Sequence, residues 1–222
     1  YCIDRETLAK TLYGNLGVPM AQGFHPDLFP WGYEDIKGRK QNIEKARQLL
    51  KEAGYPNGVD VELRITPPFP RLDLMAQVVQ QWGKQAGFRI KITSLVGVQY
   101  WMALRKYTYQ MQVWNLAKED PMNFYHQALH TDPAKPYLGH APVTGIKDPV
   151  MDKLLDDTSQ AIDIKKRREA FKKVVLRCNE KAYLIPYMTQ IGATMWSDKL
   201  KNFNPLKYFY GMQAFREAWL EG

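Results

Sequence analysis

Between Val59 and Ile92 the chain writes two alternating apolar runs on either side of an amphipathic stretch. Val59, Val61, Leu63 and Ile65 alternate with Asp60, Glu62 and Arg64, the pattern of a half-buried strand. Two prolines, Pro67 and Pro68, end it. Leu72, Met75, Val78, Val79 and Trp82 then recur at helical spacing up to Gly87, and Ile90 and Ile92 alternate in a second strand. Strand, helix and strand joined by short connections form a right-handed unit whose strands pair in parallel. A helix over about 99–106 and a strand over 110–113 extend this to β-α-β-α-β, so the chain is expected to be α/β.

Helices precede and follow this centre. Asp4 is placed to cap a helix over 7–13, and Asn42 to cap one whose apolar residues are Ile43, Ala46, Leu49, Leu50 and Ala53, with Gly54 supplying the left-handed end. Between them, residues 14–40 carry so many glycines and prolines that an irregular loop is expected, studded with Phe24, His25, Phe29, Trp31 and Tyr33. Beyond the centre come a short helix near 123–129, a proline-rich loop over 132–142, and two long helices near 149–161 and 165–181. Met151, Leu154, Leu155, Phe171, Val174 and Val175 form the inward faces of the last two. Residues 184–195 read as a final strand or pair, and 196–222 are aromatic without a dominant period.

The 222 residues are enough for one large domain or two small ones, and no apolar run approaches the length of a membrane span. A net charge of +8 raises the possibility of a polyanionic partner. The cations, however, alternate with acids along helix faces, as in Glu44, Lys45, Arg47, Lys51, Glu52 and again from Lys165 to Glu169. The strands put no row of aromatics on one face, so single-stranded nucleic acid is not the expected partner. Cys2 and Cys178 lack metal-ligand spacing and read as small buried hydrophobes, with one bridge left open.

Chemistry is sparse. No phosphate loop, nucleophile elbow or Cys-x-x-Cys occurs. His126 and His130 stand four apart, as two metal ligands on a helix would, but Gln127 occupies the place of a zincin's glutamate. A small metal-dependent hydrolase using His126, His130 and Glu119 is thus the rival reading, and neither metal nor cofactor is expected on the preferred one. The better candidate is the stretch from Trp114 to Phe124, which follows the third strand, because ligands are met beyond the carboxyl ends of strands in open α/β sheets. There Trp114 can stack on a ligand.

Several stretches in order resemble the family 5 extracellular solute-binding proteins, the group with dipeptide-, oligopeptide- and nickel-binding components of ABC importers. They are IDRETL from Ile3, IEKARQLLKEAGYPNG from Ile43, TGIKDPVMDKLLDD from Thr144 and AYLIPY from Ala182. The resemblance implies a type II periplasmic-binding-protein-like lobe, with a mainly parallel mixed sheet flanked by helices. Residues 1–192 would be the C-terminal ligand-binding lobe, and 193–222 would return to an N-terminal lobe absent from this chain. It implies a solute-binding subunit outside the cytoplasmic membrane, periplasmic or extracellular and open to lipoprotein anchoring, without catalysis. Its partners would be a small peptide-like or other polar solute and the permease subunits.

The resemblance also places the ligand loop. Trp114, the Asp120-Pro121 pair and Phe124 match the family pattern without a gap. The aspartate that pairs with a peptide's α-ammonium in peptide-binding members would fall at position 117, which is Ala117. A free peptide N-terminus is therefore not the expected ligand, and Lys118 favours an anionic one. The residues expected to touch the solute are Trp114 and Lys118, then Glu119, Trp101, Phe24 and His25.

Overall fold

The computed structural model describes residues 1–24, 31–66, 71–106, 109–113, 121–131, 145–190, 195–203 and 218–221. Helix α1, Arg5–Tyr13, begins where the Asp4 carboxylate accepts the Thr7 N–H at 3.0 Å, and it buries Leu8, Ala9 and Leu12. After a single 3-10 turn, Gly14–Leu16, the chain does not stay irregular as its glycines suggest. It forms strand β1, Gly17–Pro19. A Cβ on Gly17 would stand 2.2 Å from the Ala9 carbonyl oxygen, so only glycine lets the strand pass this close to α1.

Helix α2, Ile43–Glu52, starts at Asn42, whose side chain accepts the Lys45 N–H at 2.8 Å, and gives way to Gly54 at φ +91°. Strand β2, Val59–Ile65, helix α3, Leu72–Ala86, and strand β3, Phe88–Ser94, realise the expected unit. β2 and β3 pair in parallel from Val59 opposite Phe88 to Ile65 opposite Ser94. Helix α4, Val98–Arg105, leads to the short strand β4, Met111–Gln112, which pairs in parallel with β2 on its other side. The sheet order is β3-β2-β4, so all three strands end at one edge. α3 covers one face: Met75, Ala76 and Val79 join Leu63, Ile90 and the α1 leucines in one core.

Helices α5, Pro121–Leu129, α6, Pro149–Gln160, and α7, Ile164–Lys181, follow. Met151, Leu155, Phe171, Val174 and Val175 are fully buried in a second core, while Leu154 is only partly so. Burying a side chain the size of Phe171 stabilises the fold by roughly 1.5–3 kcal/mol. Of the expected strand over 184–195, residues 191–194 lie outside the described ones; the described part is β5, Met188–Gln190, which pairs antiparallel with β1. Within the terminal stretch, β6, Leu200–Lys201, pairs antiparallel with β7, Trp219–Leu220, and Trp196 meets Phe203 edge to face. The chain divides into two compact units, Tyr1–Gln190 and Ile191–Gly222.

A partly buried ion pair braces the start of α6 against α7. Asp148, 5% exposed, caps α6 by accepting the N–H groups of Val150 and Met151. Its two oxygens also take Arg177 of α7 in a fork, at 2.7 and 2.8 Å, and the Tyr183 hydroxyl at 2.8 Å. The Arg177 guanidinium holds the carboxyl well below the usual range. Cys2 and Cys178 are both free thiols, so the bridge left open by the sequence does not form. Cys178 lies in the core, where burial pushes its thiol up to about 12.

Candidate ligand-binding site

The parallel sheet fixes where the candidate loop begins. Val113, 3% exposed, donates its N–H to the Arg64 carbonyl at 3.0 Å, continuing the β4–β2 ladder by one bond. On the other side the Leu95 N–H reaches the Ile65 carbonyl at 3.0 Å, and α4 begins three residues later. Tyr100 of α4 is buried, and its hydroxyl accepts a hydrogen bond from the Gln112 amide on β4. Burial pushes the Tyr100 hydroxyl up to about 12, so it is neutral at physiological pH. α4 is thereby held against the end of β4, beside the point where the chain leaves the sheet.

The far end of the loop is equally fixed. Pro121, at the first position of α5, and Met122, Phe124 and Tyr125 are all buried. Tyr125 meets Phe124 edge to face at 5.9 Å and Phe171 of α7 at 5.3 Å. Its hydroxyl accepts the Gly23 N–H at 3.2 Å, and Phe24 lies 6.3 Å from its ring. α5 therefore anchors two segments at once, the loop that ends at Pro121 and the segment that leads to position 25. Neither Tyr100 nor Tyr125 stands out in the sequence as a positioning residue. The signal for Tyr125 is its place directly after the Asp-Pro-Met-Asn-Phe stretch.

Residues 1–136 match the model of the bacterial extracellular solute-binding proteins, family 5 Middle. The chain belongs to this family. Heme-binding protein A of Haemophilus influenzae is 25% identical over 230 residues, which span 96% of this chain and 40% of that protein. The dipeptide-binding protein of Escherichia coli K12 is 29% identical over 132 residues, 56% of this chain and 24% of that protein. This family 5 chain thus spans two fifths or less of the length of these relatives. Its fold is that of periplasmic binding proteins: DppA of Helicobacter pylori in complex with the peptide STSA covers the whole chain at a TM-score of 0.78 and 21% identity, with 42% of its own length. NikA of Staphylococcus aureus in complex with Ni(L-His)2 covers 91% of it at a TM-score of 0.70 and 22% identity. The parallel sheet flanked by helices expected from the sequence is the one found.

Of the family 5 chain's expected solute contacts, Trp114, Lys118, Glu119 and His25 lie outside the described residues. Trp101 is on α4 next to Tyr100, with its side chain outside the described ones. Phe24 is a core residue, 7% exposed, stacked on Phe171 at 5.7 Å and edge-on to Tyr33 and Tyr125. It packs its segment against the second core.

The hydrolase reading gains no support. His126 and His130 are buried between α5 and α6, their rings stacked 5.8 Å apart. His126 Nε2 lies 3.0 Å from the Leu155 carbonyl and 2.7 Å from the Ser159 hydroxyl. His130 faces Asp152 and Asp156 of α6, at 3.9 and 3.4 Å. These contacts explain the i,i+4 spacing as helix packing, and among the described residues no group of three His, Cys, Asp or Glu could hold a metal ion. A separate open depression of about 630 Å³ is found at the opposite, amino-terminal edge of the sheet, between Arg47, Lys51, Tyr55 and Lys84. Its lysines stand in the last turns of α2 and α3, where cations offset the helix dipoles, and none of its lining residues belongs to α4, β4 or α5.

Proposed function

We propose that this chain is a ligand-binding lobe of the solute-binding component of an ABC import system. The solute would be held by closure of this lobe against an N-terminal lobe of the same protein, with permease subunits as the downstream partners. What supports the reading is family membership together with one geometric fact. The described residues on either side of 114–120 are both held by the core: Val113 extends the ladder at the carboxyl edge of a parallel sheet, and Pro121 is buried at the start of α5. In such a trap each lobe supplies part of the contacts, and the ligand biases the closed form by binding it more tightly.

On this reading Trp114 is the stacking platform, and Lys118 and Glu119 set the charge of the pocket wall. Trp101 and His25 border it from α4 and from the segment tied to Tyr125, and Phe24 acts only by holding His25 in place. The relatives' names include heme, dipeptides and nickel, so the family leaves the solute open. Ala117 removes the carboxylate that would meet a peptide's ammonium group, and Lys118 adds a cation. A small anionic or carboxylate-bearing solute suits that pair best. The protein would work outside the cytoplasmic membrane, periplasmic or extracellular, with a lipoprotein anchor compatible with that placement.

The test is to release and identify the bound solute by native mass spectrometry of the full-length protein, then to titrate that solute calorimetrically. Trp114→Ala should weaken it by tenfold or more, on the order of one stacked aromatic contact, and Lys118→Ala should flatten the salt dependence of its affinity. Unchanged affinity in both variants would remove the loop from the site.

A further inference from the structure

The charge run from Lys165 to Glu169 is not absorbed by solute binding, and the turn before it is unusual. Ile162, between α6 and α7, is 95% exposed, and Ile164, the first residue of α7, is 47% exposed. The turn that carries them is built. The Asp163 side chain accepts the Lys166 N–H at 2.9 Å, and the Arg167 Nε donates to the Ala161 carbonyl at 2.8 Å. Arg168 is likewise engaged inward, donating to the Gly32 carbonyl at 2.6 Å with its guanidinium 4.7 Å above the Tyr33 ring.

Two of the four consecutive cations thus hold the fold, and the other two are left over. Lys165 and Lys166 are exposed and make no ion pair among the described residues. Asp163, the nearest acid, is occupied as the helix cap, and Glu169 follows one turn further along α7. Neither isoleucine takes part in the second core, which Met151, Leu155 and Phe171 fill without them. An apolar tip on a fixed turn with unpaired cations at its base matches the chemistry of a surface with anionic headgroups over an apolar layer.

We infer that the α6–α7 turn is a docking tip for an anionic lipid bilayer surface. Ile162 enters the boundary between headgroups and acyl chains, Ile164 follows at its rim, and Lys165 and Lys166 meet the anionic headgroups. The contact is peripheral and reversible: a few side chains adsorb to a surface and do not span it. It does not depend on the solute or on the loop after β4, so it stands or falls apart from the solute-binding reading.

The test is flotation of the full-length protein with vesicles of phosphatidylglycerol mixed into phosphatidylcholine, against phosphatidylcholine alone, at low and high salt. The protein should float with the anionic vesicles at low salt and much less at high salt. Replacing both isoleucines (Ile162→Ser with Ile164→Ser) should weaken this by about tenfold, and Lys165→Gln with Lys166→Gln should remove most of the dependence on anionic lipid, both with unchanged melting temperature. No flotation, or flotation unaffected by the isoleucine changes, overturns the inference; the second result would trace adsorption to the net charge of +8 alone. Retention on immobilised polyglutamate that those changes abolish, without flotation on vesicles, would assign the turn to an acidic protein partner and also overturn it.

Discussion

Replacing Asp148 tests the second core at a point where five hydrogen bonds meet. The carboxylate accepts two backbone N–H groups at the start of α6, both arms of Arg177 and the Tyr183 hydroxyl. Asp148→Ala removes the cap, at about 1 kcal/mol, and the buried charged acceptor, at about 2 kcal/mol more. A loss of about 3 kcal/mol should lower the melting temperature by roughly 6–12 °C for a domain of this size. Asp148→Asn keeps a good capping group and loses only the charge, so it should fall between wild type and alanine. Circular dichroism melts across pH add a second arm. The folded-state carboxyl titrates below its unfolded value, so its contribution is complete above about pH 4 and is lost as pH falls through the lowered value. The gap between wild type and Asp148→Asn should therefore be constant at neutral pH and close only in strong acid, while the gap to Asp148→Ala should narrow there to the contribution of the cap. If Asp148→Asn melts with wild type, the charge contributes nothing and the reasoning fails.

Two glycine substitutions should separate backbone constraint from side-chain crowding. Gly58→Ala places a Cβ 2.3 Å from the Gly87 carbonyl oxygen at φ +83°, and chemical denaturation should show a loss of 2 kcal/mol or more; Gly83→Ala meets only the end of the Ile90 side chain, at 2.7 Å, gains helix propensity, and should stay within about 1 kcal/mol of wild type. The Cys178 thiol, buried and pushed up to about 12, should be silent to a thiol reagent at pH 8 in native protein and react fully once the chain is denatured. Reaction of Cys178 at the unfolded rate would mean that the second core opens readily.

The parts of the fold legible in the sequence are those with local causes. Asp4, Asn42, Gly54 and Gly87 punctuate helices through their own side chains or their own φ, and the alternation from Val59 to Ile65 needs no distant partner to be read. β1 is invisible, and the partner of β5 unreadable, for the opposite reason. Each is three residues long, and each is a strand only because the other end of the unit supplies its partner. Phe24 is hard to place from sequence because an aromatic among glycines and prolines looks alike whether it faces a ligand or a core, and its three ring contacts are all with distant residues. His126 and His130 mislead through periodicity, since i,i+4 is the spacing of a metal pair and also of any two residues that face a neighbouring helix. The edge of the sheet that presents the loop was readable because β-α-β-α-β topology determines it before any side chain is placed.

The β1–β5 pairing has a consequence for how the lobe comes apart. Gly17 to Pro19 and Met188 to Gln190 lie on the order of 170 residues apart in the chain, a closure that is entropically dear to form and reports on everything enclosed by it. The second core is contained in that closure, as are the sheet and α3 of the first, while α1 packs onto it from outside. The unit should therefore fold late and all at once, with no half able to persist alone. A cut made just before Met188 should cost the lobe its cooperativity, because it would strip β1 of its partner.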